Sequence, residues 1–319
     1  MGTPAGRPPC GMNFCGNAFR QSRSLAAFGR SIMFSAAVVI LFSFAALAQG
    51  LTTPFEPDRL KQIISSGNSE QKRDALFEIR NRRSADASAL AVPALKDADA
   101  IVRATAASSV VFLPESEAAA LLLSLLYDRE PFVRKEAAYA LGTVGSWTAT
   151  ERLAELLRRD KDREVRTTAA IALGMIGDID SLGPLSDVLK KKPNDEDEML
   201  RRAAARSLGQ IAELIRTGRT RVTTPQSFLP EKFKETGDPL ALKTNRISAD
   251  GRPAVELLIK VLTDTRESDD TRREAAFALG AFGRPEAVPA LERSIAAADP
   301  YLAETAREAL LKIRAADEN

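Results

Sequence analysis

The sequence predicts an all-α solenoid, in which similar helix pairs pack side by side along the chain. The first observation is a thirteen-residue motif, VRKEAAYALGTVG, at 133–145. It recurs with substitutions at 165–177, 200–212 and 271–283. The second observation is its periodicity, since Val133, Ala137 and Leu141 lie on one face of a helix. A repeated amphipathic helix indicates a stacked array, because each unit buries its apolar face only against its neighbours.

The repeated unit is expected to contain two helices. The first begins at Val133 and ends at Gly142 in a left-handed conformation, and Gly145 then lets the chain reverse. A second apolar run, from Leu153 to Leu157, predicts the return helix. With its weaker copies, the motif opens at 71, 102, 133, 165, 200, 271 and 302. Units of about 31 residues hold two helices of about three turns each, and the one long step predicts an insertion.

The N-terminal segment has the layout of a secretory signal. Residues 1–30 contain four Arg and no acidic residue, and 31–48 form an apolar run that ends in Ala46-Leu47-Ala48. This order is typical of a signal peptide that is cleaved, here before Gln49. The alternative is an uncleaved inner-membrane anchor at 31–48, because this run approaches the length that spans a bilayer. We expect an exported protein, either periplasmic or secreted, that meets a membrane only through this segment.

Charge and cysteine content limit the function of the mature chain. The whole chain has 45 Lys and Arg, 43 Asp and Glu, and no His. Loss of 1–48 removes four Arg, which leaves 41 basic against 43 acidic residues. This balance argues against nucleic-acid binding, which needs a basic surface. Cys10 and Cys15 both lie in the predicted signal, so the mature chain has no disulfide.

The mature chain divides into a lead and a repeat array. Residues 49–68 are expected to form an N-terminal lead or cap, and 69–315 the solenoid. A long insert at 217–250 interrupts the fifth unit between its two helices. Such a segment is either a binding loop or an excursion without a role, and Phe228 and Phe233 are its candidate partner-binding residues. Trp147, in the turn of the third unit, either packs over that turn or forms a platform for a ligand.

The motif resembles the HEAT-like repeats first catalogued in phycobilin lyases, through the pattern D-x4-VR-x2-AA-x-AL-G-x-[IVF]-G. The resemblance covers roughly 69–315 and implies a right-handed α-α superhelix of about seven helix pairs. It also implies that the first helices line the convex side and the return helices the concave side. The acidic residue before the first helix and the Arg within it are expected to form a structural ladder between repeats: Asp97, Asp128, Asp160, Asp264, Arg103, Arg134, Arg166, Arg201 and Arg272. Asp264 lies further from its helix than the pattern requires.

The leading hypothesis is a non-enzymatic scaffold that binds another protein. Partner contacts are expected from charged residues on the return helices: Arg152, Glu155, Arg159, Asp187, Lys190, Glu256, Lys260 and Arg293. The absence of His removes His general bases and His-ligated metals, and we predict no catalytic residue, cofactor or metal site. The resemblance offers an alternative, a subunit similar to a bilin lyase or isomerase. Nucleic-acid binding is a third, less favoured hypothesis.

Overall fold

The structure, a computed structural model, describes residues 55–217 and 251–317. Within these ranges the chain forms fourteen α-helices and no β-strand, which confirms the predicted all-α solenoid. The predicted signal, most of the lead before the first helix and almost all of the insert lie outside the described residues. The residues from Glu56 onward belong to one compact unit.

The helices alternate between two layers. After a leading helix, α1 (Pro57–Ser66), the first helices of the repeats are α2 (Ser69–Asn81), α4 (Ala100–Ser109), α6 (Pro131–Val144), α8 (Arg163–Ile176), α10 (Glu198–Thr217), α12 (Asp269–Phe282) and α14 (Pro300–Asp317). The return helices are α3 (Ala85–Ala89), α5 (Glu115–Leu125), α7 (Thr150–Arg159), α9 (Leu182–Leu189), α11 (Arg252–Thr263) and α13 (Val288–Ser294). Short 3₁₀ turns extend α3 and precede α7, α9, α10 and α13.

Polar side chains fix the start of several first helices. Asn68 accepts a hydrogen bond from the Gln71 backbone N–H, and the Gln71 side chain accepts one from the Asn68 backbone N–H. Asp162 starts α8 by accepting a hydrogen bond of 3.0 Å from the Val165 backbone N–H. These caps satisfy N–H groups that the first turn of a helix leaves without a partner.

Small residues bring the first helices into direct backbone contact. A Cβ added to Gly142 would lie 2.8 Å from the Cα of Ala172 on the next first helix. The prediction that Gly142 ends its helix was therefore wrong. Helix α6 continues to Val144, and Gly145 is the residue that takes the left-handed conformation, with φ of 77°. Gly142 serves close packing, and Gly145 serves the turn.

The return helices pack less closely with one another than the first helices do. Each return helix instead contributes leucines to the core between the layers, among them the fully buried Leu122, Leu153 and Leu185. The arrangement that the family resemblance implies, with the return helices on the concave side, stays a prediction. Within the described residues, no helix is both long and apolar enough to cross a membrane.

Candidate functional site

A ladder of charged side chains joins consecutive repeats at the turns before the first helices. Arg103 on α4 donates from Nε to Asp128 Oδ2 at 2.7 Å and from Nη2 to Oδ1 at 2.9 Å. Arg134 on α6 bonds to Asp160 in the same two-pronged way, at 2.7 and 2.8 Å. Each guanidinium also donates to the carbonyl of the aspartate before its own helix. One Arg therefore fixes two successive turns.

The ladder carboxylates are held in the ionised form. The Arg103 guanidinium lowers the pKa of Asp128 below its usual value, against the opposing effect of burial. Burial would raise the pKa of Asp160, but hydrogen bonds from Arg134 and from the Asp162 backbone N–H lower it overall. Asp128 and Asp160 each accept a hydrogen bond from the backbone N–H two residues ahead, which shapes the turn.

Two steps of the ladder have other partners. At the first step, Lys72 takes the place of an Arg and donates to Asp97 Oδ2 at 2.7 Å. At the fourth step, Arg166 bonds to Asp197, at 3.5 Å, and its buried Nε has no hydrogen-bond partner among the described residues. Asp197 lies within the acidic turn before α10, so this turn supplies the ladder acid of its repeat. The bond at this step is the weakest of the four.

The step across the insert uses Glu267, a residue that the sequence analysis missed. Arg201 on α10 forms a two-pronged ion pair with Glu267, and both side chains are only 3% exposed. Its Nη1 also donates to the carbonyls of Val188 and Lys191, at 3.1 and 2.7 Å. Helices α10 and α12 also approach closely, since a Cβ on Gly209 would lie 2.8 Å from the Ala278 Cα. The repeats on the two sides of the insert are therefore joined directly.

The expectation that Asp264 belongs to the ladder was wrong. Asp264 accepts hydrogen bonds from the backbone N–H and the guanidinium of Arg266, which lower its pKa to about 2. The turn from Asp264 to α12 is longer than the turn from Asp128 to α6, so the longer side chain of Glu267 reaches Arg201 instead. Arg272 likewise bonds locally, to the Leu262 carbonyl and to Asp269.

The predicted partner-binding residues on the return helices lie at the surface. Arg152, Glu155 and Arg159 line one open cleft of about 280 Å³ next to Tyr127, which is 65% exposed. The Arg152 guanidinium carbon lies 5.9 Å from the Tyr127 ring centroid. The others lie elsewhere on the same layer and are also exposed: Asp187, Lys190, Glu256, Lys260 and Arg293. Phe228 and Phe233 lie outside the described residues.

The cleft suits a polar protein surface better than a small charged ligand. Its lining carries both signs of charge, and Glu155 already pairs with Arg152 and with Arg159.

Trp147 does not pack over its turn, since it is 70% exposed. In the part of the chain that the structure describes, no three His, Cys, Asp or Glu side chains are grouped so that they could hold a metal ion. The sequence analysis also missed exposed apolar side chains on the first helices, which only a position-by-position comparison of the repeats reveals.

Comparison with known proteins adds a family match and several similar structures. A family model for HEAT repeats matches residues 57–141, 119–209 and 247–318, more than half of the chain. An engineered protein is 22% identical over 81% of this chain and 68% of its own, with a TM-score of 0.49. The CpcE–CpcF complex of phycocyanin lyase from Nostoc sp. PCC7120 is 21% identical over 84% of this chain and 95% of its own, with a TM-score of 0.45.

Human deoxyhypusine hydroxylase in complex with glycerol is 19% identical over 81% of this chain and 96% of its own, with a TM-score of 0.34. No curated protein sequence matches the chain. At these identities, likeness to solved structures concerns the fold and carries no information about activity.

Proposed function

Because the chain belongs to the HEAT repeat family, we propose that it is an exported, non-enzymatic scaffold that binds another protein. The observation that carries this proposal is the difference between the buried residues, which pack the helices together, and the exposed residues, which are free to contact a partner. Apolar side chains are used between neighbouring helices, and ladder bonds fix the spacing of the turns. The return helices are left with charged side chains on a rigid surface, an arrangement that suits recognition of a folded partner.

The cleft beside Tyr127 is the best-defined part of this surface. Tyr127 offers a large exposed ring with a hydroxyl, and Arg152 lies over that ring. Tyr and Arg are enriched among the residues that carry binding energy at protein interfaces. Asp128 and Asp160 at the cleft wall are fixed by the ladder, so the partner would meet a preorganised surface.

Affinity purification from the exported fraction tests the scaffold function. The full chain, tagged at its C-terminus and cross-linked in its native cells, should recover one partner in a constant ratio. Arg152→Glu with Arg159→Glu should reduce recovery, because the charges of two arginines that line the cleft are reversed. Arg158→Glu is the matched control, since Arg158 is exposed on the same helix but does not line the cleft. Failure to recover any partner in a constant ratio would contradict the proposal.

The export step has a separate test. The basic stretch, the apolar run and the Ala46-Leu47-Ala48 box support a cleaved signal. Mass spectrometry of the purified protein should find a chain that begins at Gln49. A chain that keeps residues 31–48 and sediments with membranes would support the anchored alternative instead. A chain confined to the cytoplasm would contradict export in either form.

A further inference from the structure

Trp147, the one tryptophan in the sequence, lies at the surface in the turn between α6 and α7. Its side chain is 70% exposed, and Phe112, in the corresponding turn of the preceding repeat, is 36% exposed. The short 3₁₀ turn that carries Trp147 contacts α5, so the two turns lie side by side. Large aromatic side chains that stay at the surface of neighbouring turns are typical of an interaction site.

The turn that carries Trp147 is held in place by its own polar groups. Ser146 is only 1% exposed, and its Oγ lies 3.0 Å from Thr148 Oγ1. Thr150 donates from Oγ1 to Asp178 Oδ2 at 2.7 Å, which ties this turn to the turn of the next repeat. A ligand of Trp147 would therefore meet a preorganised turn, which lowers the cost of binding.

The turns around Trp147 are acidic and contain no Lys or Arg. We call the segments 110–117, 145–151 and 177–183 the turn edge. Five acidic side chains lie in the turn edge: Glu115, Glu117, Glu151, Asp178 and Asp180. The next residue in the chain, Arg152, pairs with Glu155 and lies over Tyr127 at the return-helix cleft. The turn edge therefore carries a negative charge that no base within it offsets.

The acids closest to Trp147 in the fold have no partner. Glu115 and Glu117 begin α5, and Glu151 follows Trp147 by four residues. All three are exposed, and none forms an ion pair or a side-chain hydrogen bond with another described residue. An acid in the first turn of a helix stabilises that helix by itself, so the charges alone would not indicate a ligand. Here they lie beside an aromatic ring that nothing in the described ranges covers.

The turn edge has a basic neighbour at one end. The turn of the first repeat contains Arg82 and Arg83, so the acidic stretch ends between the first and second repeats. At the other end, Asp178 and Asp180 extend it to the turn of the fourth repeat. The acidic stretch therefore covers three repeats, with the Trp147 turn in the middle.

We propose that the turn edge binds a basic segment of a partner protein, with a Lys or Arg side chain over the Trp147 ring. Trp is the aromatic side chain that attracts a cation most strongly, and the unpaired carboxylates supply the complementary charge. The same carboxylates repel nucleic acid and acidic lipid head groups. The proposal rests on the scaffold function and adds a second contact, on other residues than the return-helix cleft.

The fluorescence of Trp147 gives a direct test, because no other tryptophan contributes to the signal. A designed peptide of about ten residues is long enough to cross three neighbouring turns when it is extended. One version contains Lys and Leu, and the second has Glu in place of every Lys. The Lys peptide should shift the Trp147 emission of the full chain, and the Glu peptide should not. Raising the salt from about 0.1 M to about 1 M should weaken binding of the Lys peptide.

Neutral substitutions test the acids of the turn edge. Three changes made together should weaken binding of the Lys peptide about fivefold or more: Glu115→Gln, Glu117→Gln and Glu151→Gln. The matched control removes the same charge from exposed acids of other repeats and should leave binding unchanged: Glu70→Gln, Glu256→Gln and Glu286→Gln. Circular dichroism checks that each variant is folded.

The ring has its own variant. Trp147→Leu keeps an apolar side chain but removes the ring face, and should weaken binding about threefold or more, measured by anisotropy of a labelled Lys peptide. Because Trp147 is exposed, this substitution should leave the urea midpoint unchanged.

Three results would overturn the proposal. They are equal binding of the Lys and Glu peptides, equal binding by the acid variant and its control, and a wild-type dimer that Trp147→Leu dissociates, since a second copy would then cover the ring. The scaffold function is judged separately. If the acid variant still recovers the cellular partner in full, the scaffold function stands and the turn-edge proposal fails. If the Lys peptide binds as expected but no cellular partner is recovered, the reverse holds.

Discussion

At the residue scale, a single guanidinium holds two repeats together. Arg103, Arg134 and Arg201 each donate to a carboxylate of the following unit and to carbonyls near their own helix. The Arg201–Glu267 pair is the most buried of the three. Removal of one partner from a buried ion pair leaves the other charge without compensation, which destabilises a protein strongly.

Arg201→Met is expected to lower the free energy of unfolding by about 3–5 kcal/mol, because the Glu267 carboxyl group would remain buried without its partner. Urea unfolding followed by circular dichroism measures the change. Arg201→Met combined with Glu267→Met should recover a large part of the loss. The matched control is Arg266→Ala, whose side chain is 70% exposed and which should cost less than about 1 kcal/mol. Similar losses for Arg201→Met and Arg266→Ala would contradict the assignment.

The sequence predicted the ladder pairs only where the turn had its regular length. Arg103, Arg134 and their aspartates are spaced by the repeat itself, so pattern and structure agree on which residues meet. Glu267 was missed because two additional residues in the turn before α12 move the regular position away from Arg201. A difference in turn length changes which acidic side chain reaches the ladder arginine. The spacing of the motif does not predict which residue that is.

At the element scale, the close contact of first helices depends on glycines inside the helices. Gly142→Ala should destabilise the protein by about 1–3 kcal/mol, because the new Cβ would lie 2.8 Å from backbone of α8. Gly183→Ala is the control: a Cβ there meets nothing within 4 Å, and Ala favours a helix by up to about 1 kcal/mol. The two substitutions should therefore shift the urea midpoint in opposite directions. A stabilising effect of Gly142→Ala would show that the layers are less closely packed than described.

The sequence predicted the type and order of the helices but not which residues their outward faces present. Apolar periodicity identified the helix pairs because core positions recur in every unit. Thr105 and Ser108, which line a groove over α4, occupy positions whose residue varies from one repeat to the next, so a search for shared residues does not find them. Gly142 was assigned to the helix end for a related reason. The sequence alone does not distinguish a glycine that a neighbouring helix requires from one that a turn requires.

At the scale of the whole molecule, the ladder links stability to pH. The pKa values of Asp97, Asp128 and Asp160 are lowered in the folded state. The unfolded chain therefore takes up protons first as the pH falls through the usual aspartate value of 3.8. The stability from these groups is complete above that value and is lost below it.

The urea midpoint should accordingly drop steeply between about pH 5 and pH 3. Asp128→Asn with Asp160→Asn should be less stable than the wild type near neutral pH and should show a shallower drop, because two of the linked groups no longer titrate. Lys135→Ala serves as a control, since its exposed pair with Glu164 lies outside the ladder. Parallel pH profiles for the wild type and the double variant would contradict the role of the ladder.

Because Arg201 and Glu267 bond directly, we expect docking of the two halves not to depend on the covalent link between 217 and 251. The backbones of α10 and α12 approach at Gly209, and the ion pair closes over the adjoining turn. Two separately expressed fragments, one ending at 217 and one starting at 251, should therefore reassemble by complementation. Between 217 and 251 the chain would tolerate a protease cut, a fused domain or a new terminus while the stack of repeats stays intact.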